Sequence, residues 1–312
     1  MVNPHREPVI RVIDTLADRY LKGKIQAVKL AMTSLLAGGH LLLEDIPGLG
    51  KTTLALALAR ALGLSFGRIQ CTSDLLPSDI TGLSIFDRNE NRFRFLPGPI
   101  FSNLVLADEI NRAMPKTQSA LLEAMEERRV TVEGTTYPLP EPFMVIATQN
   151  PLEQVGTYPL PESQLDRFLL STDIGYPPPE QEQAIIRQGS NREAIRRIAP
   201  LLTRAEILAA RHACRQVQLA EKVTSYLHAL ITATRTHPML AAGVSTRGGI
   251  CLADAARAWA FLDGRDYMAP SDIQQVLLPV CAHRLVPRPE YAALDREELL
   301  RGLLSDIPTP KS

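Results

Sequence analysis

The sequence has little that would indicate a zinc-binding, disulfide-rich or membrane protein. It contains four widely spaced cysteines and no C-x-x-C pair, so neither a zinc site nor a disulfide framework is expected. No run approaches the ~18–20 uninterrupted apolar residues of a membrane-spanning helix. The opening residues MVNPHREP also lack the apolar core of a secretory signal. We therefore expect a cytoplasmic protein without a membrane span, with its cysteines buried as small apolar residues.

The chain also lacks an excess of either charge. Lys and Arg together number 34, and Asp and Glu together number 34. This balance removes the global basic surplus that a dedicated nucleic-acid binder usually carries, although a local basic patch stays possible. Apolar residues make up 45% of the 312 residues, which is enough for the cores of about two domains.

A glycine loop between an apolar run and a helix-forming run predicts a phosphate-binding site. Residues 44–52, EDIPGLGKT, follow Leu41–Leu43 and precede the helical pattern of residues 53–59. The backbone N–H groups of such a loop and the positive end of its helix bind phosphate, Lys51 adds a cation, and the Thr52 hydroxyl would hold Mg²⁺. The predicted nucleotide-binding residues are Pro47, Gly48, Leu49, Gly50, Lys51, Thr52 and Thr53. Asp45 replaces the first glycine of the common pattern G-x-x-x-x-G-K-[ST], and we expect it to reshape the turn more than the phosphate contacts.

A second segment supplies the carboxylates that a magnesium–nucleotide site requires. Residues 103–109, NLVLADE, read as an apolar strand that ends in two adjacent acids. Asp108 can bind Mg²⁺ beside Thr52, directly or through water, which makes Thr52 and Asp108 the predicted metal ligands. Glu109 can polarise a water for attack on the γ-phosphate of ATP.

Strands alternate with helices in the first part of the chain, which predicts an α/β fold with a doubly wound parallel sheet. Two helices, Val9–Tyr20 and Ile25–Leu36, precede the first strand, the loop helix covers about Thr52–Leu62, and a further helix covers Pro115–Arg128. The predicted strands are Leu41–Glu44, Phe66–Thr72, Asn103–Asp108, Phe143–Thr148 and Phe168–Thr172. Two β-hairpins are inserted, with arms 83–86 and 92–95 around the polar turn 87–91, and with arms 130–133 and 135–138 around Gly134.

The strand pattern stops at residues 175–179, GYPPP, and only helices are expected beyond it. We place a domain boundary there, with a nucleotide-binding domain at 1–178 and a smaller all-helical domain at 179–312. The expected helices of the second domain are Thr203–Val217, Glu221–Thr236, Thr246–Leu262 and Ser271–Arg284. Thr203 with Glu206, and Ser271, are the predicted helix caps.

Several further segments occur in an order that resembles the MoxR group of AAA+ ATPases, in the branch with an insert in the second helix. The resemblance covers roughly residues 20 to 285 and rests on GHLLLE (39–44), PGLGKT (47–52), GPIF (98–101), ADEINRA (107–113), KTQ (116–118), ATQNP (147–151), GTYPLPE (156–162) and LDRF (165–168). It implies an AAA+ core followed by a helical lid, with ATP and Mg²⁺ as cofactors.

The same resemblance implies roles for three further residues. Asn150 is similar to the sensor that orients the attacking water, and Arg167 is similar to the arginine finger given to a neighbour's γ-phosphate, a group worth ~10³–10⁵ in rate. Arg247 is similar to the second sensor, reaching from the lid to the nucleotide of its own chain. From the residues alone, an arginine such as Arg247 that opens a helix is more often a solvated surface residue or a partner for a nearby carboxylate, and Arg167 could pair with Asp166 or Glu162. The segment 22–25, KGKI, occupies the place where the family packs adenine.

The resemblance further implies a hexameric, Mg²⁺-dependent ATPase that remodels or activates protein clients, especially proteins with a von Willebrand factor A domain. Two rival motors are a DNA translocase and a magnesium-insertion enzyme of the chelatase type. The hairpin tip around Glu133 is acidic and the other mixes Asp87, Arg88 and Glu90, so nucleic acid is not the expected partner. The arginine-rich segment 187–215 points the other way, although a solvated helical face or a subunit interface explains it at least as well. A nucleotide-gated scaffold without turnover is a third alternative, which the presence of Glu109, Asn150 and Arg167 disfavours.

Overall fold

The computed structural model describes residues 3–88, 91–152, 155–189 and 191–310. Five parallel strands form the central sheet in the order β2-β5-β8-β1-β9. The strands are β1 (Leu41–Glu44), β2 (Phe66–Gln70), β5 (Leu104–Asp108), β8 (Met144–Gln149) and β9 (Leu170–Thr172). The predicted doubly wound parallel sheet is therefore confirmed, and every predicted strand is present within two residues of its expected ends.

The sheet is buried on both faces, and its side chains alternate between two hydrophobic clusters. Leu41 and Leu43 point to one face, where they pack with the helices α1 (Arg6–Thr15), α2 (Ile25–Ala37) and α3 (Lys51–Ala61). Leu42 points to the other face, where it packs with α5 (Pro115–Glu127). Because all three leucines are fully buried, β1 reads as a continuous apolar run, as central parallel strands do.

The expected first helix is longer than its pattern indicates, while the second ends where its glycines indicate. Helix α1 starts at Arg6 and continues after Thr15 as a π-helical turn, Leu16–Tyr20. Helix α2 ends at Gly38, which adopts a left-handed conformation with φ +80° and caps the helix. That ending directs the chain into β1 and so places the phosphate loop at the far end of the strand.

Both predicted hairpins are present, and they contact each other. The first pairs β3 (Gly82–Asp87) with β4 (Arg92–Pro97) after the short helix α4 (Pro77–Thr81), and the second pairs β6 (Arg129–Val132) with β7 (Thr135–Pro138). Phe95 of the first hairpin stacks on Tyr137 of the second at 4.2 Å between ring centroids. Asn89 and Glu90, part of the expected polar turn, lie outside the described residues.

The part of the chain after residue 178 is mainly helical, as expected. Its helices follow α6 (Glu162–Leu165) and are α7 (Pro179–Gln188), α8 (Arg192–Arg196), α9 (Arg204–Arg215), α10 (Glu221–Thr236), α11 (Thr246–Leu262), α12 (Pro270–Cys281) and α13 (Arg296–Asp306). The predicted capping box of α9 is confirmed, because the Thr203 hydroxyl accepts from the Glu206 N–H and the Glu206 carboxylate accepts from the Thr203 N–H.

Two expectations for this part are wrong. It is not entirely helical, since β10 (Leu240–Ala242) and β11 (Val286–Pro287) form a short antiparallel ribbon too brief to leave an alternating pattern. Ser271 does not cap α12, which begins one residue earlier at Pro270. The Asp272 carboxylate takes that role by accepting from the backbone N–H of Ala269 at 2.7 Å.

The lid helices pack against the N-terminal helices. Helix α2 contacts α9 and α11, and one hydrophobic cluster includes side chains from α1, α2, α3, α9, α10, α11 and α12. The division of the chain at residue 178 therefore stays a prediction about folding units. Within the described residues, no helix combines the length and apolar character needed to cross a membrane.

Candidate active site

The loop between β1 and α3 forms an open cradle at the carboxyl end of the sheet. Gly48 and Gly50 have φ values of +90° and +98°, which L side chains rarely adopt. A Cβ added to Gly48 would meet no atom within 4 Å, and one added to Gly50 would reach only Thr53 at 3.9 Å. The space beside this backbone and the start of α3 at Lys51 together fit an anionic ligand such as a phosphate group.

Lys51 is held inside this cradle. Its ammonium group donates to the backbone carbonyl of Asp45, and the side chain is almost completely buried. Burial lowers the pKa of Lys51, while the carboxylates of Asp45, Asp108 and Glu109 act in the opposite direction. A bound phosphate would add negative charge beside the ammonium group and so favour its charged form further.

Asp45 explains how this loop works without the usual first glycine. One carboxylate oxygen accepts from the N–H of Ile46 at 2.8 Å, and the other accepts from the N–H groups of Ile174 and Gly175 at 3.0 and 2.8 Å. The side chain therefore ties the loop entrance to the segment that follows β9. This agrees with the expectation that Asp45 shapes the turn.

The two acids at the end of β5 are oriented by a neighbouring strand. The buried hydroxyl of Thr148, on β8, donates to Asp108 and accepts from the Glu109 N–H, both at 2.8 Å. Glu109 has left-handed backbone angles, φ +57° and ψ +52°, and lines the same cavity as Asp108. Such a conformation is unfavourable for a residue with a side chain, and it is typical of functional sites.

The predicted nucleotide residues surround two adjoining cavities. A cavity of about 210 Å³ is lined by Pro47, Gly48, Gly50, Lys51, Thr52, Thr53, Asp108, Glu109, Asn150 and Arg192. A larger cavity of about 570 Å³ is lined by Leu49 together with Lys22, Lys24, Tyr176 and Pro177, among others. Lys22 and Lys24 of the segment 22–25 line the second cavity, so the pair of cavities has room for a phosphate chain and a base.

Thr52 and Asp108 fit a divalent ion that is shared with phosphate oxygens. A hydroxyl and a carboxylate in one cavity are hard oxygen donors, and Mg²⁺ is usually bound by few protein ligands together with substrate phosphates and waters. The described residues contain no group of three or more His, Cys, Asp or Glu side chains arranged for a metal. The donor set therefore fits Mg²⁺ with a nucleotide rather than a metal site complete in itself.

Three residues that the sequence reasoning missed contribute to this region. Thr148 orients the two acids, Arg68 of β2 contacts the Asp108 carboxylate at 2.7 Å, and Arg192 at the start of α8 lines the small cavity. The only sequence signal for Thr148 was its place in ATQNP beside the acidic strand. Arg68 and Arg192 carried no signal, because each comes from an element whose approach depends on tertiary packing.

Arg167 and Arg247 lie together at the other end of the sheet. Arg167 Nε and Arg247 Nη1 contact the two carboxylate oxygens of Glu126, at 3.2 and 2.9 Å. They line a cavity with residues 37–40, which precede β1, whereas the phosphate loop follows β1. Because β1 is four residues long, the two groups are separated by at least about 13 Å along the strand.

This placement corrects one expectation. Arg247 does not reach the phosphate loop of its own chain, because α11 carries it to Glu126 and Asp166 instead. The alternative partners named for Arg167 are also wrong in detail, since its ion pair is with Glu126 rather than with Asp166 or Glu162. Asn150 does lie with the acids, directly after β8, where its side-chain oxygen accepts from the Leu152 N–H.

Comparison with protein families assigns both parts of the chain. Residues 40–170 match the family described as ATPase family associated with various cellular activities (AAA), and residues 232–302 match the AAA lid domain. The chain is 41% identical over 278 residues to Chaperone MoxR1 of Mycobacterium tuberculosis, covering 86% of this chain and 73% of that protein. The chain belongs to the MoxR family of AAA ATPases.

Other relatives span this MoxR-family ATPase almost completely. The chain is 44% identical over 295 residues to YeaC, an uncharacterised protein of Bacillus subtilis, with 94% of this chain and 92% of YeaC covered. A crystal structure of a protein from Cytophaga hutchinsonii, assigned as an ATPase, superposes with a TM-score of 0.91 at 37% identity. It covers 98% of this chain and 96% of the other, so the AAA core and lid occur together in both.

Proposed function

We propose that this ATPase works as a ring, in which each nucleotide is held by one chain and completed by the next. The observation that carries the proposal is the separation of Arg167 and Arg247 from the phosphate loop along β1. Arginines used in phosphoryl transfer must contact the γ-phosphate. Since these two are remote from their own loop, they serve the nucleotide of a neighbouring subunit.

Within one chain, the residues at the carboxyl end of the sheet take the roles that their positions allow. The N–H groups near Gly48 and Gly50 bind phosphate oxygens, and Lys51 neutralises the β- and γ-phosphates. Thr52 and Asp108 would hold Mg²⁺, which would supply charge neutralisation at the phosphates. Glu109 takes the proton of the attacking water, and Asn150 orients that water.

The neighbouring chain then supplies Arg167 and Arg247, which lie at the other end of its sheet and do not contact its own nucleotide. Glu126 forms ion pairs with both Arg167 and Arg247 in the free chain, so a γ-phosphate must compete with this carboxylate for both arginines. Hydrolysis removes the phosphate and returns the arginines to Glu126. The nucleotide state is thereby coupled to the contact between subunits.

We further propose that the ring is a cytoplasmic hexamer that remodels protein clients, including proteins with a von Willebrand factor A domain. One support is the first hairpin, where Phe86 and Phe93 form an edge-to-face pair with centroids 5.3 Å apart and Phe93 is 68% exposed. Exposed apolar groups of this kind suit a polypeptide partner. A second support is the relative from Mycobacterium tuberculosis that is named a chaperone.

The rival motors act on DNA or insert magnesium, and the first is readily tested. DNA translocases carry cations on the hairpin tips that meet phosphates, whereas the turn of the second hairpin here carries Glu133. We expect duplex and single-stranded DNA to leave ATP hydrolysis unchanged at low salt. A salt-sensitive stimulation by DNA would favour the translocase instead.

The test of the shared site is the rate of ATP hydrolysis per chain, measured with Mg²⁺ as the protein concentration is raised. We expect the rate to increase with concentration for the native chain and to fall by ~10³-fold or more in Arg167→Ala. Arg301→Ala, which removes an exposed arginine of α13 paired with Glu297, is the matched control. A rate that is independent of both concentration and Arg167 would contradict the proposal.

A further inference from the structure

Arg284, at the end of the turn Ala282–Arg284 that follows α12, is buried although it carries a charge. Its side chain is only 2% exposed. A buried guanidinium group is costly unless its donors are satisfied and its charge is balanced. The partners of Arg284 therefore indicate what the residue is for.

All five N–H donors of Arg284 have an acceptor, and four of its six hydrogen-bond partners belong to the segment that contains Arg167. Nε donates to the Asp166 carboxylate at 2.7 Å, and Nη2 donates to the backbone carbonyls of Asp166 and Phe168 at 3.2 and 2.6 Å. Nη1 donates to the carbonyl of Leu169 at 3.3 Å and to that of Val280 in the preceding helix α12, and it lies 2.7 Å from His283 Nε2. The guanidinium group thus holds the backbone on both sides of Arg167.

The lid makes room for this contact at Gly248, the residue after Arg247. A Cβ added to Gly248 would lie 2.9 Å from Arg284 Cδ and 2.7 Å from Val244 Cγ1, closer than real Cβ atoms approach. Gly248 is within α11, where its backbone conformation does not require glycine. The absence of a side chain at this position instead allows Arg284 to approach the helix closely. Helix α11 and Arg284 are therefore packed as one unit.

Ion pairs connect this unit to Arg167 and Arg247, which lie at the amino end of the strands of the sheet. Asp166 contacts Arg284 through Oδ1 and lies 3.9 Å from Arg247 Nε through Oδ2, and Glu126 joins Arg247 to Arg167. Asp166 and Glu126 thus connect Arg284, helix α11 and the segment that contains Arg167. Movement of the lid must displace the backbone that carries Arg167.

We propose that Arg284 is a positioning residue for ATP hydrolysis, which fixes Arg167 to the lid and presents it to the nucleotide of the neighbouring subunit. The proposal rests on the proposed role of Arg167 between subunits. Arg284 does not contact the nucleotide itself, since the Asp166–Leu169 segment and the buried core surround it. Its effect is exerted on the neighbour's site and not on the site of its own chain.

The first experiment compares Arg284→Met with the native chain and with Arg301→Met, an exposed arginine of the same lid. We expect kcat to fall by about 10²-fold, because a misplaced catalytic group can cost that much, while the affinity of the isolated chain for a fluorescent ADP analogue stays unchanged. Arg284→Lys should not restore the rate, because an ammonium group has three donors and lacks the planar fork. An unchanged kcat in a folded Arg284→Met protein would overturn the proposal.

A mixing experiment separates positioning from damage to the chain's own site. Lys51→Ala chains lose their own nucleotide but keep Arg167 and Arg284, so they can serve the intact nucleotide site of an Arg284→Met neighbour. We expect an equimolar mixture to hydrolyse ATP well above the sum of the two variants measured separately. A mixture that gives only that sum would mean that Arg284 acts within its own chain, which would overturn the proposal.

Gly248→Ala tests the same contact without removing the buried charge, in case Arg284→Met does not fold. We expect a lowered kcat, unchanged ADP-analogue binding and rescue by Lys51→Ala chains. Gly302→Ala in α13 is the matched control, because a Cβ there meets no atom within 4 Å. Arg167→Ala, measured in parallel, distinguishes failure of the shared site from failure of the role of Arg284. Full activity in Arg167→Ala would overturn the shared site. Loss of activity in Arg167→Ala together with normal activity in Gly248→Ala would overturn only the role of Arg284.

Discussion

The two ends of the parallel sheet present their charged groups in opposite ways. At the carboxyl end, Lys51 lies beside an open cavity that also contains Thr52 and Asp108. At the amino end, Arg167 and Arg247 are both paired with one carboxylate, Glu126. Under the proposed function, one chain holds its nucleotide by itself, whereas its second set of cations contacts the nucleotide of a neighbouring chain.

The largest effect should come from removing the cation of the carboxyl end. Lys51→Ala is expected to weaken the binding of ATP by about 10²-fold or more, because a charge-assisted contact to phosphate is lost, and hydrolysis should fall to background. Titration with a fluorescent nucleotide measures the affinity, with exposed Lys222→Ala as the control. Native affinity in Lys51→Ala would mean that the loop does not bind the phosphates.

A separation of binding from hydrolysis should follow from Glu109→Gln. The amide cannot take a proton from water, so hydrolysis should fall by ~10²–10⁴-fold while the affinity for ATP stays close to native. Glu127→Gln on α5 removes an exposed carboxylate paired with Arg129 and serves as the control. Normal turnover by Glu109→Gln would show that another group activates the water.

The amino end of the sheet should be more sensitive to acid than the carboxyl end, because the buried His40 lines the same cavity as Arg167 and Arg247. Its Nδ1 accepts from the Val145 N–H at 2.9 Å and its Nε2 contacts the Met125 carbonyl at 3.1 Å. Burial, together with the charge of Arg128, lowers the pKa of His40 from 6.5 to about 3. Between these two values the unfolded chain binds the proton and the folded chain does not, so stability is highest above pH 6.5 and is lost as the pH falls.

We therefore expect His40 to lower the free energy of unfolding by about 2 kcal/mol when the pH is reduced from 8 to 5. Denaturant titrations at several pH values measure this slope. His40→Gln can keep both hydrogen bonds but cannot be protonated, so it should remove much of the slope, while exposed His212→Gln should not. An identical slope in native protein and His40→Gln would contradict the assignment.

The smallest effect should come from Glu126. Because this carboxylate is 38% exposed, solvent screens its ion pairs, and Glu126→Gln should lower the free energy of unfolding by less than about 1 kcal/mol. Nucleotide binding by the isolated chain should not change, since Glu126 lies at the end of the sheet remote from the loop. Denaturant titration and nucleotide titration of this variant, with Glu297→Gln as the control, test whether the two ends are independent.

The sequence predicted the carboxyl end well because its residues are close together along the chain. Lys51 and Thr52 occur in one loop, and Asp108 and Glu109 end one strand, so local patterns identify both pairs. The parallel sheet then brings strand ends to one edge, which is a general property of the fold. The contribution of Thr148 was missed because its hydroxyl acquires a function only from the register between β5 and β8.

Predictions for the amino end were less successful because its contacts join distant parts of the chain. Arg247 was expected near its own nucleotide, but α11 packs against α2 and directs the arginine to Glu126, 121 residues away. The partners of Arg284 in the Asp166–Leu169 segment are likewise 115 to 118 residues distant. No spacing or local pattern encodes such pairs, since they depend on how the lid docks.

The sequence by itself therefore determined the alternation of strands and helices, the phosphate loop, the acidic pair and the family. These follow from local periodicity and from motifs whose members are neighbours in the chain. Only the tertiary structure decided which face of the sheet receives the lid, that Arg167 and Arg247 meet at Glu126, and that Arg284 secures the Arg167 segment. The physical reason is that burial of apolar helix faces selects one docking of the lid, and that docking sets which distant charges come within contact distance.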